Sequence, residues 1–397
     1  MNLLFLYGGE ILPTRGGVQR VTAVLADEFA QRGNGVFYLS LPTNVVGCGV
    51  DPLRQFYLPH KEFSSIENVS FLKEFLLKKK IDVLINQGGW SDKCSRLAYF
   101  ARELGVPVFS VLHNGLLDIP RNYYEAHEEE WSCGWKRWFR FLLKNTVTRK
   151  LLCQIYIKKY RAHFRELCQK SDQVVLLSES VRSDLALYFP RNTLPSCVSA
   201  IPNPATFSCE DTMITRKQKE LLWVGRMSFG QKRPDWMLKI WKMLEPLFPD
   251  WSLRFVGDGE YLPKLKKQSE EFGLRRVYFE GFQNPRKYYQ QASIFCMTST
   301  YEGFGMVLVE ASAFGCIPIA FNSFSTVHDI ISNGENGCLV PAFDLGKYAE
   351  TLAALMRDVT LRKRIASSAC QNVSQFSPAC IVDQWEKLFS ETSSLDN

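Results

Sequence analysis

Short apolar runs alternate with longer amphipathic stretches over the first 200 residues, the rhythm of a parallel sheet wrapped by helices. The runs Leu3–Tyr7, Val36–Ser40, Asp82–Asn86, Val106–Leu112 and Gln173–Ser178 predict strands. Between the first two, the periodicity of Val18–Gln31 predicts a helix closed by Gly33. Asn203-Pro204 and the polar stretch Ser208–Lys219 read as a linker, after which a second series begins. Leu221–Val224 runs into Gly225, and Trp251–Val256 runs into Gly257-Asp258-Gly259, the same strand-then-glycine device twice. Val277–Phe279, Ile294–Met297 and Ile317–Phe321 complete the predicted strands. The class is α/β, with two doubly wound halves and a ligand cleft expected at the carboxyl ends of the strands. No repeat of fixed period accompanies the rhythm.

Length agrees with this division, because 397 residues exceed one ordinary core. The hydrophobic (46%) and charged (22%) fractions are those of a soluble globular protein. Met1–Tyr7 lacks a basic flank and meets Gly8-Gly9 too early for a signal peptide, so it reads as a buried first strand. No apolar run approaches the roughly 20 residues that cross a bilayer. Twelve cysteines lie between Cys48 and Cys380 without a C-x-x-C pair, and many sit in apolar surroundings. They read as small buried hydrophobes of a cytoplasmic protein. His60, His113, His127, His163 and His328 show no ligand spacing, so no metal is expected.

One segment breaks the rhythm. From Cys133 to Lys170 there are eleven Lys/Arg against the single acid Glu166, interleaved with Trp135, Trp138, Phe139, Phe141, Leu151 and Ile155. That local excess is larger than the net +7 of the whole chain. The composition is that of a helical element on a membrane surface. The alternative is a surface helix with solvated lysines, and no nucleic-acid module accompanies the charge.

Four motifs carry candidate chemistry. Glu302-Gly303-Phe304-Gly305-Met306-Val307-Leu308-Val309-Glu310 follows a predicted strand and sets two glutamates around a glycine turn. A helix starting near Gly305 would aim its N–H groups and positive end at phosphate, with Glu302 and Glu310 free to accept from sugar or ribose hydroxyls. Gly225-Arg226-Met227-Ser228-Phe229-Gly230-Gln231-Lys232 also follows a strand, and Arg226 and Lys232 suit a diphosphate. Gly16-Gly17 opens the first helix, where backbone can approach a phosphate or sugar. His113-Asn114-Gly115 ends the run Val106–Leu112 and would face a cleft. Taken singly, each also reads as an ordinary turn, helix start or structural histidine.

Together, in this order and spacing, they resemble the family 4 glycosyltransferases of bacterial polysaccharide assembly, which are retaining enzymes of GT-B architecture. The resemblance also takes in Val256–Gly259, Gly281-Phe282 and Asn336–Val340, so it covers nearly the whole chain. It implies an acceptor-side Rossmann-like domain over 1–203, a nucleotide-sugar domain over 204–376, and a last helix, about 377–397, that crosses back with Trp385 and Phe389 as anchors. It further implies that Arg226 and Lys232 hold the donor diphosphate, and that Glu302 with Gly303, Phe304, Gly305 and Met306 meets the donor sugar and phosphates. Glu310 would take the ribose, Gly281 and Phe282 the base, Gly16 and Gly17 the phosphate from the other domain, and His113 the sugar or acceptor.

The implied reaction moves a hexose or N-acetylhexosamine from a nucleotide diphosphate sugar to a glycan or lipid-linked acceptor. UDP is the expected base carrier and GDP its rival. The enzyme would need no cofactor or metal, since no D-x-D occurs and the basic loop supplies the charge. It would work in the cytoplasm or on the inner face of the membrane. Catalysis would rest on Glu302, His113, Arg226 and Lys232. Three other classes are weighed against this. A dinucleotide oxidoreductase needs G-x-G-x-x-G, which neither half supplies; a silent binding subunit should lack one of the motif residues; a phosphorylase on a soluble glycan would depend on free phosphate.

Overall fold

The computed structural model describes residues 1–12, 16–42, 54–129, 143, 145–208 and 217–395. They form two compact units: Met1–Asn114, Ile157–Thr206 and Phe376–Asn397, and Gly115–Tyr156 with Phe207–Gln375. Sequence pattern alone puts one boundary near residue 203. The contacts instead give Gly115–Tyr156 to the second unit, where Asn122, Glu125 and Glu128 find partners.

The first unit is built on seven parallel strands: β1 (Asn2–Tyr7), β2 (Gly35–Ser40), β3 (Gln55–Tyr57), β4 (Val83–Asn86), β5 (Val108–Leu112), β6 (Gln173–Leu176) and β7 (Val198–Ala200). Their spatial order is β3-β2-β1-β4-β5-β6-β7, with Leu3 opposite both Val36 and Val83. Strands β4, β5 and β6 are buried at every position, which is why they read as continuous apolar runs and not as alternating ones. The helix Gly17–Gln31 buries Val21, Leu25, Ala26 and Phe29 and ends before Gly33, whose φ of +83° suits glycine. Against it lies the last helix, Pro378–Leu395: Phe389 meets Phe29 and Phe109 at 6.0 and 4.9 Å, and Trp385 meets Phe109. Arg32 adds ion pairs to Asp383 and Glu386 at 2.7 and 2.9 Å.

The second unit has six parallel strands: β8 (Gln218–Val224), β9 (Ser252–Val256), β10 (Val277–Phe279), β11 (Ala292–Met297), β12 (Ile317–Phe321) and β13 (Cys338–Val340), in the order β10-β9-β8-β11-β12-β13. Trp223, Trp236, Trp241, Trp251, Phe255 and Tyr348 are among the large members of its core. In both sheets the strand order reverses beside the first strand, and that reversal opens a crevice at the carboxyl ends. The expected linker ends sooner than its polarity suggests, since β8 already begins at Gln218. Residues 209–216 lie outside the described residues. The unpredicted strands β3, β7 and β13 have three residues each.

Of the basic aromatic segment, Thr146–Lys170 is one helix of 25 residues. Cys133–Leu142 and Lys144, with Trp135, Trp138, Phe139 and Phe141, lie outside the described residues. Among the described residues no helix is long and apolar enough to cross a membrane. Cys94, Cys168, Cys296, Cys316 and Cys338 are buried free thiols, as their apolar surroundings suggest.

Candidate functional site

In the second unit the turns after β8, β9 and β10 stack backbone on backbone. Gly225 N–H donates to the Val256 carbonyl at 3.1 Å, Met227 N–H to Asp258 at 2.8 Å, and Gly257 N–H to Gly281 at 2.8 Å. Gly257 sits at φ +139°, and a Cβ there would overlap the carbonyl oxygen of Gly225. These glycines are therefore the means by which three strand ends converge on one floor. Phe282, next to Gly281, stands 72% exposed above it.

The loop after β11 closes on the loop after β8. Thr298 Oγ1 donates to the carbonyls of Lys232 and Arg233 at 3.1 and 2.9 Å. Thr300 donates its N–H to Gln231 O and its hydroxyl to Gly230 O, both at 2.8 Å. This zipper brings Lys232 Nζ to 2.5 Å from Glu302 Oε1, and Ser299 Oγ donates to the same oxygen at 2.6 Å. Glu302 and Ser299 are buried while Lys232 keeps some exposure. The neighbouring Tyr301 hydroxyl is pushed up from its ordinary pKa by burial first and by the Glu302 carboxylate second. Arg226 is exposed and donates to Gln231 Oε1 at 3.3 Å.

Immediately beyond, Gly305 at φ +97° begins the helix Met306–Ala313. It offers no side-chain cap, and no acid stands in the helix's first turn, so the positive end is not neutralised from within. Glu310 is fully buried in this helix and accepts from the Tyr289 hydroxyl at 3.0 Å. The carboxylate that the resemblance assigns to the ribose thus has the Tyr289 hydroxyl as a partner.

A further segment belongs to this site and carries no motif that the sequence reveals. Residues Gly115–Glu129 contain two short helical turns, Asp118–Arg121 and Tyr123–Ala126. Asn122 Nδ2 donates to the carbonyls of Thr300 and Ser323, both at 2.7 Å. Arg233, fully buried at φ +47°, donates to Asp235 through two nitrogens, to Glu125 O at 2.7 Å and to Glu128 at 2.7 Å. Its guanidinium lies 4.1 and 3.8 Å from the rings of Phe229 and Trp236. Aspartate and the ring pair would have been visible in the run Phe229–Trp236; the Glu128 partner, a hundred residues away, would not.

The first unit holds the remaining predicted residues. Gly17 opens its helix after Gly16, again with no side-chain cap and no acid in the first turn. Gln19 Nε2 ties the helix start back to the carbonyl of Glu10 at 3.0 Å. His113, at the end of β5, is 9% exposed and its Nε2 lies 2.5 Å from Gln87 Oε1. The carbonyl oxygen accepts, so the proton is on Nε2; Nδ1 has no partner among the described residues. Burial lowers the His113 pKa to about 4, which keeps the ring neutral at physiological pH. Among the described residues no cluster of His, Cys, Asp and Glu could hold a metal ion.

Two doubly wound parallel sheets, each with a glycine-opened helix at its crevice, are the GT-B arrangement of glycosyltransferases. Anabaena HepE, solved in complex with UDP and glucose, has the same fold: TM-score 0.69 over 98% of this chain and 99% of that one, at 17% identity. Residues 15–205 match the model of Glycosyltransferase Family 4, and residues 209–371 match that of Glycosyl transferases group 1. The chain belongs to the family 4 glycosyltransferases and is a transferase enzyme. An uncharacterized glycosyltransferase of Haemophilus influenzae is 26% identical over 94% of this chain and 95% of its own. The amylovoran biosynthesis glycosyltransferase AmsD of Erwinia amylovora is 28% identical over 62% of this chain and 71% of its own.

Proposed function

We propose that the enzyme transfers a hexose or N-acetylhexosamine from a UDP-sugar, with retention and without metal, to a glycan or lipid-linked acceptor in surface polysaccharide assembly. The observation that carries this reading is the cationic rim of the second unit's crevice: Lys232 and Arg226 on one loop, and the unneutralised start of Met306–Ala313 on the next. Such a rim binds a diphosphate and stabilises it as it departs. The UDP complex of HepE and the polysaccharide pathway of AmsD point the same way for those proteins.

In this reading Glu302 positions the donor sugar, Phe282 offers its exposed ring to the base, and Glu310 takes the ribose beside its Tyr289 contact. Gly16 and Gly17 serve the phosphate, and His113 accepts from a sugar or acceptor hydroxyl through Nδ1. The bond from the anomeric carbon to the phosphate oxygen breaks as the acceptor oxygen attacks the same face. The acceptor proton passes to the leaving phosphate oxygen. No glutamate pair in the motifs serves as nucleophile and acid/base in the glycosidase manner.

Contact with the inner membrane surface is part of the proposal. On the helix Thr146–Lys170, Val147, Leu151 and Ile155 recur every fourth residue and are 72, 58 and 57% exposed. Lys150, Lys158, Lys159 and Arg161 are exposed on the same helix.

Calorimetric titration of UDP and GDP in EDTA tests the donor site, with the Lys232→Ala variant beside the wild type. Binding of UDP that the variant weakens, but keeps measurable, supports the reading. Binding of neither nucleotide, or of GDP alone, overturns it.

A further inference from the structure

The segment Gly115–Glu129 is tied to both halves of the Lys232–Glu302 pair. At one end Arg233, the residue after Lys232, holds Glu125 O and the Glu128 carboxylate. Close by, Gly230 approaches so near that a Cβ on it would stand 2.8 Å from Ala126 O. At the other end Asn122 holds Thr300 O, two residues before Glu302, and a Cβ on Gly115 would stand 3.1 Å from Glu302 O.

Asn122 is buried, and its amide nitrogen spends its two donors on carbonyls from two different loops, those after β11 and β12. Neither carbonyl belongs to a strand, so the bonds order loops and add nothing to the sheet. Without the amide, two buried carbonyls lose this partner, and the loop that carries Glu302 loses one of its links to the loop at Ser323, keeping the Ser323 hydroxyl's bond to Ser299 O at 2.8 Å.

We infer that Asn122 is a positioning residue of the donor site: it fixes the Thr300 backbone so that Glu302 meets Lys232 in the geometry that receives the diphosphate. The inference rests on the nucleotide-sugar reading. It goes beyond that reading by assigning a role to a segment outside the motifs.

The test is a double-variant cycle on UDP binding in the full chain, using wild type, Asn122→Ala, Lys232→Ala and both together. Amide hydrogen exchange over residues 299–305 is measured in the same proteins. The isosteric Asn122→Asp, which cannot donate when ionised, separates the hydrogen bonds from side-chain volume. Asn122→Ala and Asn122→Asp should each weaken UDP about tenfold and speed exchange in 299–305, with exchange in β8 and β11 unchanged. In the Lys232→Ala background Asn122→Ala should cost less than twofold further. A merely structural residue would instead multiply its loss onto that of Lys232→Ala, and that outcome overturns the inference. So does UDP binding at wild-type strength by Asn122→Ala, or general loss of protection through β8 and β11. Failure of the nucleotide-sugar reading looks different, because then the wild type itself binds no UDP.

Discussion

Replacing His113 by Gln should change how the first unit's stability responds to acid more than it changes stability at neutral pH. Burial holds the folded imidazole at a pKa of about 4, against an ordinary value of 6.5. Between those values the unfolded chain binds a proton that the folded chain refuses, so stability falls as pH drops through that window and is unaffected above it. At ~1.4 kcal/mol per pH unit, the full loss is about 3 kcal/mol below pH 4, and about 2 kcal/mol of it is spent by pH 5. In a domain of this size that is roughly 4–8 °C of melting temperature. Glutamine does not titrate, so His113→Gln lacks this component, while the other titrating groups cancel in the comparison. Differential scanning calorimetry of both proteins at pH 7.5 and 5.0 reads the effect, and a proton NMR titration of the His113 ring reads the pKa directly. The reasoning fails if the two proteins lose the same melting temperature between those pH values, or if the ring titrates near 6.5.

Lys232→Ala strands the buried Glu302 carboxylate and should destabilise the second unit by about 2 kcal/mol, less than a fully buried pair because Lys232 keeps 18% of its exposure. Lys232→Ala/Glu302→Gln should recover part of that loss in thermal melting, and an additive double variant would argue against coupling. Gly257→Ala forces a Cβ into the Gly225 carbonyl and should cost about 3 kcal/mol or more, whereas Gly273→Ala, at φ +68° with open space around it, should cost only about 1 kcal/mol. Urea midpoints of the two variants decide this, and equal shifts would refute it. Val147→Ser/Leu151→Ser/Ile155→Ser should sharply reduce co-sedimentation with phosphatidylglycerol vesicles at unchanged melting temperature; retention at wild-type level would remove the stripe from the membrane proposal.

The sheets and the glycine-turn motifs were legible because each depends on local pattern. Buried parallel strands are largely apolar, and a glycine must stand where backbone meets backbone, as at Gly257. Lys232 and Glu302 were legible as members of separate motifs, though their pairing at 2.5 Å was not, since it depends on the bonds from Thr298, Thr300 and Gln231 that bring the loops together. Asn122 and the Arg233–Glu128 contact were hidden for a different reason. Their meaning lies wholly in partners 105 to 201 positions away, and nothing in the composition of 115–129 announces them. The Glu310–Tyr289 contact was equally invisible, because it depends on how helix and neighbour pack.

The grouping of Gly115–Tyr156 with the second unit has a practical meaning for recombination. A chimera cut at the apparent join near residue 203 would take the second sheet from one parent and the residues that brace its loops from another. Arg233 would then meet a foreign segment in place of Glu125 and Glu128, and Thr300 a foreign side chain in place of Asn122. Grafts that carry residues 115–156 together with 207–375 keep these partnerships within one parent. Libraries built on the two cut schemes should therefore differ in yield of folded protein, even where the exchanged sequences are otherwise the same.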